Sequence, residues 1–150
     1  MTQLAAGQKA PHFEALNQDG KTLRLSDFSG RKLVLYFYPK DDTPGCTAEA
    51  CNLRDNHNAL IDAGYAVLGV SPDDPKKHRK FIDKFELPFD LLADTEQTVA
   101  NAYGVWVEKS MYGRKYMGTV RTTFVIDENG VISDIISKVK TAAHAEQILK

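Results

Sequence analysis

Two continuous apolar runs, at residues 33–38 and 65–70, constrain the fold of this chain more than any other feature of the sequence. Runs of this kind are typical of strands that are buried on both faces of a parallel sheet. Between them lies a helical apolar stripe that starts at Cys46 and ends before Gly64, a residue suited to terminate a helix. Two such strands joined by a helix form a right-handed βαβ unit, so the sequence predicts an α/β fold.

The segments on either side of this unit predict further strands and helices. Alternating residues around the turn at 17–20 predict an N-terminal hairpin over residues 12–25. Asp74 followed by Pro75 is the start of a helix, because the first can cap and the second fits the first helical position. The other predicted elements are a helical turn at 26–30, a strand at 89–92, a short helix at 95–103, a loop at 105–118, strands at 122–126 and 131–136 around a tight turn, and a last helix at about 141–149.

Composition and charge exclude several classes of protein. No linker or internal repeat interrupts the sequence, so we expect one domain over residues 1–150. The 19 Lys and Arg against 20 Asp and Glu give a net charge of -1, which provides no field to attract nucleic acid or an anionic membrane. No apolar stretch is long enough to span a membrane, and two cysteines are too few for a disulfide scaffold. We therefore expect a cytoplasmic protein whose cysteines serve chemistry.

The segment from residue 38 to residue 51 is the most informative part of the chain. It joins a buried parallel strand to the start of a helix, the place where ligands bind in open α/β sheets. Thr43 is suited to cap the helix and Pro44 to begin it, which places Cys46 third in the first turn. The unpaired amides and the positive end of the helix dipole favour a thiolate there, so Cys46 is predicted to be a nucleophile.

Cys51 follows Cys46 by five residues on the same predicted helix. That spacing separates the two Cα atoms by roughly 8.7 Å, whereas a disulfide needs less than about 7 Å. If the two sulfurs react in turn, the first turns of the helix must unwind, which implies a folded reduced state and a locally unfolded oxidised state. From spacing alone, Cys51 is equally well interpreted as a second reactive thiol or as a small core residue.

The sequence gives little indication of other kinds of site, such as a basic binding surface, a metal site or a phosphate-binding loop. The basic run at 76–80 is best interpreted as the solvated face of a helix. The four histidines are dispersed and complete no zinc spacing with the cysteines, and neither glycine-rich phosphate motif is present, so we predict no metal and no cofactor. An apolar group in the predicted loop is expected to pack against the domain, although it could line a substrate pocket or a docking patch: Trp106, Met111, Tyr112, Tyr116 and Met117.

These residues carry a resemblance to a known family. Pro39, Thr43 and Cys46 have the spacing of the Pro-x-x-x-Thr-x-x-Cys signature of the peroxiredoxins. With Cys51 and the Arg-Thr-Thr-Phe run at 121–124, the chain resembles the PrxQ or bacterioferritin comigratory protein subfamily. The resemblance extends over nearly the whole chain, including residues 69–73, 87–89, 103–106 and 112–118.

The resemblance implies a thioredoxin-like fold with an N-terminal hairpin extension, and a thiol peroxidase that reduces hydrogen peroxide and organic hydroperoxides. It implies that Cys46 is the peroxidatic cysteine, which becomes a sulfenic acid, and that Cys51 resolves it to a Cys46 to Cys51 disulfide. Thioredoxin or a similar dithiol is then the expected reductant, and a monomer the expected state.

The same resemblance gives roles to four other residues. Arg121 and Thr43 are expected to hold the peroxide and the thiolate, because a guanidinium directs several donors from one plane. The Thr43 hydroxyl could instead cap the helix. Pro39 is expected to shield the thiolate from water. Glu49 either orients Arg121 or is simply a favourable acid in the first helical turn.

Two other classes of function compete with the peroxidase. A dithiol–disulfide oxidoreductase would share the fold, but its active site is expected to carry Cys-x-x-Cys, whereas four residues separate the cysteines here. A thioredoxin-fold binding module would have no use for a thiolate at a capped helix N-terminus. Reduction of insulin without consumption of peroxide would indicate the first class, and full function of Cys46→Ser the second.

Overall fold

The computed structural model describes residues 2–150, which form a seven-stranded sheet, a separate two-stranded hairpin and flanking helices. The strands are β1 (Glu14–Asn17), β2 (Thr22–Arg24), β3 (Lys32–Phe37), β4 (Tyr65–Ser71), β5 (Asp90–Ala93), β6 (Trp106–Met111), β7 (Arg114–Thr119), β8 (Thr122–Ile126) and β9 (Ile132–Ile136). The α-helices are α1 (Pro44–Asp55), α2 (His57–Asp62), α3 (Pro75–Phe85), α4 (Thr98–Ala102) and α5 (His144–Leu149). Two short 3-10 turns are Leu25–Phe28 and Thr141–Ala143.

The strands are ordered β2-β1-β5-β4-β3-β8-β9 in the sheet. β3, β4 and β5 are parallel, and the remaining pairs are antiparallel. This arrangement confirms the predicted α/β fold with an N-terminal hairpin extension. The pairing of Phe37 with Thr122 has a consequence for function, because it brings the loop after β3 beside Arg121.

The central strand β3 divides the core into two layers. Val34 and Tyr36 contact the layer that includes α1, α2, α3 and α5, whereas Leu33, Leu35 and Phe37 contact the layer that includes α4. Because successive residues of a strand point to opposite faces, the whole apolar run at 33–38 is buried, with no side chain more than 1% exposed. This burial on both faces is the reason that the run shows no alternation of polar and apolar residues.

The helix predicted between the first two strands is in fact two helices. α1 ends at Asp55 and α2 begins at His57, with Asn56 between them outside helical geometry (φ -108°, ψ 12°). The Asn56 side-chain amide donates to the Asn52 carbonyl at 2.8 Å, so it competes with the helical backbone for that acceptor. The apolar stripe continues across the break, which explains why periodicity alone predicted one helix.

The segment predicted as a loop at 105–118 is instead the antiparallel hairpin β6–β7. Its two-residue turn, Tyr112 and Gly113, has positive φ at both positions, as a tight hairpin turn requires. Polar and apolar residues alternate only weakly in this segment, because neither face of the hairpin is well buried. The expectation that the apolar group here packs against the domain is correct for Trp106 and wrong for the side chains that are 44–98% exposed: Met111, Tyr112, Tyr116 and Met117.

Two smaller differences concern the ends of helices. The short helix begins at Thr98 rather than at 95, because the Asp94 carboxylate accepts from the amides of Val99 and Ala100 at 3.0 and 2.8 Å. The last helix starts as a 3-10 turn before α5. Along residues 2–150, no helix combines the length and the apolar character needed to cross a membrane.

Candidate active site

The first turn of α1 places Cys46 as the sequence predicts. Thr43 is extended (φ -102°, ψ 156°) in the capping position, Pro44 is the first helical residue and Cys46 is the third. The Thr43 side chain does not cap the helix, however: its hydroxyl donates to the Lys40 carbonyl at 2.9 Å. The capping interpretation of this hydroxyl is therefore wrong, and its oxygen lone pairs stay available to another donor.

Cys46 is buried, with 1% of its surface exposed, and its sulfur has a charged partner. Arg121, which lies just before β8, donates from Nη2 to the Cys46 Sγ at 3.2 Å. Gly45 makes this approach possible, since a Cβ at that position would lie 3.2 Å from the same Nη2. A cationic donor thus lies beside the sulfur, in the first turn at the positive end of the helix.

Glu49 binds the other arm of the same guanidinium. Arg121 Nη1 donates to Glu49 Oε1 at 2.6 Å, and the Glu49 side chain is completely buried. Glu49 lies in the second turn of α1, so the alternative of a favourable first-turn acid is wrong. Burial raises the pKa of Glu49 to about 7, and the Arg121 charge and hydrogen bond only partly oppose that effect. The expected contact between Glu49 and Arg121 is present.

Behind Glu49 lies a buried histidine, one of the four that are dispersed along the sequence with no spacing that predicts a contact with Glu49. His144, at the start of α5, is fully buried and has Nε2 2.7 Å from Thr123 Oγ1 and 3.5 Å from Glu49 Oε2. Burial lowers the pKa of His144. No spacing in the sequence connects residue 144 with residue 49, so only the tertiary fold reveals this contact.

Cys51 has a different environment from Cys46. It is half-buried on α1, it is a free cysteine, and within the described chain no hydrogen bond involves its thiol. The helix runs without a break from Pro44 to Asp55, so helical geometry keeps the two cysteines apart. A disulfide between them therefore requires α1 to unwind locally.

A second buried network holds the loop that precedes α1. The Asp41 carboxylate accepts from the Tyr38 hydroxyl at 2.6 Å and lies 2.7 Å from His78 Nδ1. The Asp41 amide donates to Asp73 at 2.8 Å, and His78 Nε2 donates to the Leu92 carbonyl at 2.7 Å. These contacts fix the loop that contains Pro39 and Thr43 against β4, β5 and α3.

The burial of His78 corrects the interpretation of the basic run at 76–80. Lys76, Lys77 and Lys80 are exposed as expected, but His78 has no exposed surface. Its position on the apolar stripe with Phe81 and Ile82 is the pattern that could have revealed its burial. Asp41, Asp73 and His78 have ligand atoms within 4.8 Å of one another, the proximity of a metal site, but hydrogen bonds within the protein already satisfy these side chains.

Comparison with known proteins agrees with this geometry. Residues 6–135 match the model of the AhpC/TSA family. Peroxiredoxin Bcp of Bacillus subtilis is 47% identical, covering 96% of this chain and 92% of the relative. The solved structure of a PrxQ mutant from Xylella fastidiosa superposes with a TM-score of 0.92 at 32% identity, covering 99% of this chain and 95% of that one.

A second solved structure comes from work on alkyl peroxide reduction by the bacterioferritin comigratory protein of Xanthomonas campestris. It has a TM-score of 0.89 at 34% identity and covers 97% of this chain and 95% of that one. The chain belongs to the AhpC/TSA family and, within it, to the PrxQ or Bcp peroxiredoxins.

Proposed function

We propose that this protein is a thiol peroxidase that reduces hydrogen peroxide and organic hydroperoxides with Cys46 as its peroxidatic nucleophile. The observation that carries the proposal is the buried Cys46 sulfur, held in the first turn of α1 by a hydrogen bond from Arg121 Nη2. The relation to peroxiredoxins named Bcp and to a protein studied for alkyl peroxide reduction supports the same activity.

The first half-reaction is displacement at oxygen. The Cys46 thiolate attacks one peroxide oxygen, an S–O bond forms, and the O–O bond breaks. Sulfur is oxidised to a sulfenic acid, and the departing oxygen takes a proton to leave as water or an alcohol. The Arg121 guanidinium can stabilise the negative charge that develops on that oxygen, because it carries a full charge at the reacting atoms.

Thr43 and Pro39 complete the peroxide site in this proposal. The Thr43 hydroxyl donates to the Lys40 carbonyl, which leaves its oxygen free to accept a hydrogen bond from the peroxide O–H. Pro39 provides no backbone donor in the loop before α1, which the Asp41 network holds in place. Alignment of the peroxide with the sulfur is thereby achieved before reaction.

The second half-reaction assigns Cys51 as the resolving cysteine. Its thiolate attacks the sulfur of the Cys46 sulfenic acid, a disulfide forms, and the sulfenic oxygen leaves as water after taking up a proton. The continuous helix from Pro44 to Asp55 must unwind locally for this step. A dithiol reductant, which we propose to be thioredoxin, then reduces the disulfide. A monomer in the cytoplasm, where such dithiols are kept reduced, fits this cycle.

Steady-state peroxide consumption tests the proposal. With thioredoxin and its reductase as electron source, wild type should consume hydrogen peroxide and cumene hydroperoxide, and Cys46→Ser should consume neither above background. Cys51→Ser should lose turnover with thioredoxin while still reacting once per chain. Equal activity of wild type and Cys46→Ser would contradict the assignment.

A further inference from the structure

Within residues 2–150, the Glu49 carboxylate has one oxygen without a hydrogen-bond partner. Oε1 accepts from Arg121 Nη1, whereas Oε2 is buried and has no hydrogen bond. A buried charged oxygen without a donor is costly, and native structures rarely contain one without a functional reason. His144 Nε2 lies 3.5 Å from Oε2.

The hydrogen bonds around His144 determine which of its ring nitrogens carries the proton. Nδ1 lies 2.8 Å from Gln147 Oε1, and that oxygen also accepts from the Lys140 amide at 2.9 Å. The Gln147 Nε2 donates to the Lys138 carbonyl at 3.0 Å, which fixes the orientation of the amide. Because Gln147 Oε1 can only accept, Nδ1 of His144 is the donor and carries hydrogen.

In the neutral ring, Nε2 of His144 is therefore an acceptor. The Thr123 hydroxyl donates to it at 2.7 Å, and Glu49 Oε2 faces the same nitrogen. Two acceptors that face each other in a buried site repel, but one added proton on either atom converts them into a donor and an acceptor. One proton held by the pair would therefore turn this repulsion into an attraction, and the Thr123 hydroxyl beside Nε2 can act as donor or acceptor accordingly.

We propose that Glu49 and His144 bind one proton as a pair, between Oε2 and Nε2, and that His144 is thereby a positioning residue for Arg121. The consequence for chemistry rests on the proposed role of Cys46. With the pair deprotonated, two anions, the Glu49 carboxylate and the Cys46 thiolate, share the Arg121 cation. With the proton bound, the guanidinium charge is left to the thiolate and the peroxide.

The charged and titratable groups around the pair are consistent with this assignment. Arg121, just before β8, contacts Glu49 directly; Tyr36 on β3 and Cys46 on α1 share the same buried region. Burial raises the Glu49 pKa to about 7 and lowers that of His144. Both shifts oppose the state in which each side chain is charged separately, and the value for Glu49 agrees with proton binding near neutral pH.

The direct test is ¹⁵N NMR of the histidine rings in the reduced protein between pH 5 and 9. The His144 signals should shift with a midpoint near pH 7 in wild type, reporting the shared proton. In Glu49→Gln, the carboxamide carries no titrating proton, so that midpoint should disappear. The proposal fails if wild type shows no His144 shift over this range, or if Glu49→Gln keeps the same midpoint.

A kinetic test uses His144→Gln, whose amide can donate to Glu49 Oε2 without titrating. This permanent donor favours the ionised carboxylate, so the midpoint near pH 7 in the rate of Cys46 oxidation should fall by about one pH unit, a tenfold change in proton affinity. His57→Phe, at a half-buried histidine on α2, is the matched control and should leave the midpoint unchanged.

A purely structural role for His144 would lower the melting temperature of His144→Gln without moving the midpoint, and that result would overturn the proposal. If His144→Gln does not fold, the NMR experiment still decides the question. If Cys46 does not react with peroxide at all, the proposed function fails, while the His144 titration remains measurable and tests the shared proton by itself.

Discussion

Two cysteines lie on consecutive turns of α1, and their surroundings differ in burial and in hydrogen bonding. Cys46 is buried and accepts a hydrogen bond from Arg121, whereas Cys51 is half-buried and its thiol has no hydrogen bond in the described chain. Sequence spacing distinguishes them only by position along one helix. The difference arises from Arg121, which the antiparallel pairing of β3 with β8 brings to the first turn.

In the proposed cycle, the two thiols take part in different steps. Cys46 has its charge-stabilising partner in place before peroxide arrives, as a preorganised nucleophile requires. Cys51 depends on a change of structure, because the intact helix keeps it out of reach of Cys46. In that proposal, the folded state favours peroxide reduction by Cys46, and local unfolding of α1 would allow the disulfide with Cys51 to form.

The largest effect is expected when Arg121, the residue that distinguishes the surroundings of Cys46 from those of Cys51, is removed. In Arg121→Ala, the rate of Cys46 oxidation by hydrogen peroxide should fall by about 10²- to 10³-fold, because the sulfur and the departing oxygen lose a charged donor. Stopped-flow Trp106 fluorescence under single-turnover conditions measures that rate. Arg114→Ala, in the exposed hairpin, is the control and should react as wild type does. A change smaller than threefold in Arg121→Ala would contradict the role of Arg121.

The second prediction concerns pH and the buried charge beside Cys46. Glu49 has a pKa of about 7 in the folded chain against an ordinary value of 4.5, so the folded state binds its proton more tightly. The resulting stabilisation is complete below about pH 4.5 and is lost as pH rises through 7. Relative to Glu49→Gln, wild type should lose up to about 3 kcal/mol of unfolding free energy over this range.

Urea unfolding at pH 5, 6, 7 and 8 measures that difference. Glu108→Gln provides the control, since Glu108 is an exposed carboxylate on β6. Parallel pH dependences for wild type and Glu49→Gln would show that Glu49 does not bind its proton more tightly on folding.

A smaller effect is expected from Gly45→Ala. The added Cβ would lie 3.2 Å from Arg121 Nη2, so the guanidinium must move away by a few tenths of an ångström. Such a displacement at the reacting atoms should slow Cys46 oxidation by about tenfold. Ala48→Ser, one turn away on the same helix, should not change the rate. Equal rates for Gly45→Ala and wild type would indicate that the contact between Arg121 and the sulfur tolerates this shift.

The smallest effect should appear in the second step alone. The Asn52 side chain joins α1 to the C-terminal segment, donating to the Ala142 carbonyl at 3.0 Å and accepting from the Ala145 amide at 2.8 Å. In Asn52→Ala, local unfolding of α1 should cost less, and disulfide formation after a peroxide pulse should accelerate by about fivefold, as expected for the loss of two hydrogen bonds that each contribute about 0.5 kcal/mol.

The rate of Cys46 oxidation should be unchanged in Asn52→Ala. Asn101→Ala removes a side-chain hydrogen bond in α4, remote from the cysteines, and should alter neither rate. If Asn52→Ala slows disulfide formation, then unwinding of α1 does not limit that step.

The sequence predicts the parts of the molecule that local patterns determine. The apolar run of β3, the start of α1 at Pro44 and the place of Cys46 in its first turn are all confirmed. Each depends on neighbours in sequence: burial on both faces removes alternation, and proline after a capping residue starts a helix.

Features that depend on tertiary contacts could not be predicted in this way. The hairpin β6–β7 has two partly exposed faces and so lacks a strong alternating pattern. The Thr43 hydroxyl binds Lys40 instead of capping, a choice between two nearby partners that spacing does not decide. His144 reaches Glu49 only because α5 packs against α1. The family resemblance indicated Glu49 and Arg121, but not the histidine behind them.

The assignment of the two cysteines is tested most directly by the masses of intact chains after one equivalent of hydrogen peroxide and a rapid quench. We expect wild type to lose two hydrogens as the disulfide forms, Cys51→Ser to gain one oxygen, and Cys46→Ser to change slowly. These masses would establish a sulfenic acid at Cys46 that Cys51 resolves. If Cys46→Ser gains oxygen as quickly as Cys51→Ser, or if all three chains stay reduced for minutes, the account of Cys46 as the peroxidatic nucleophile is wrong.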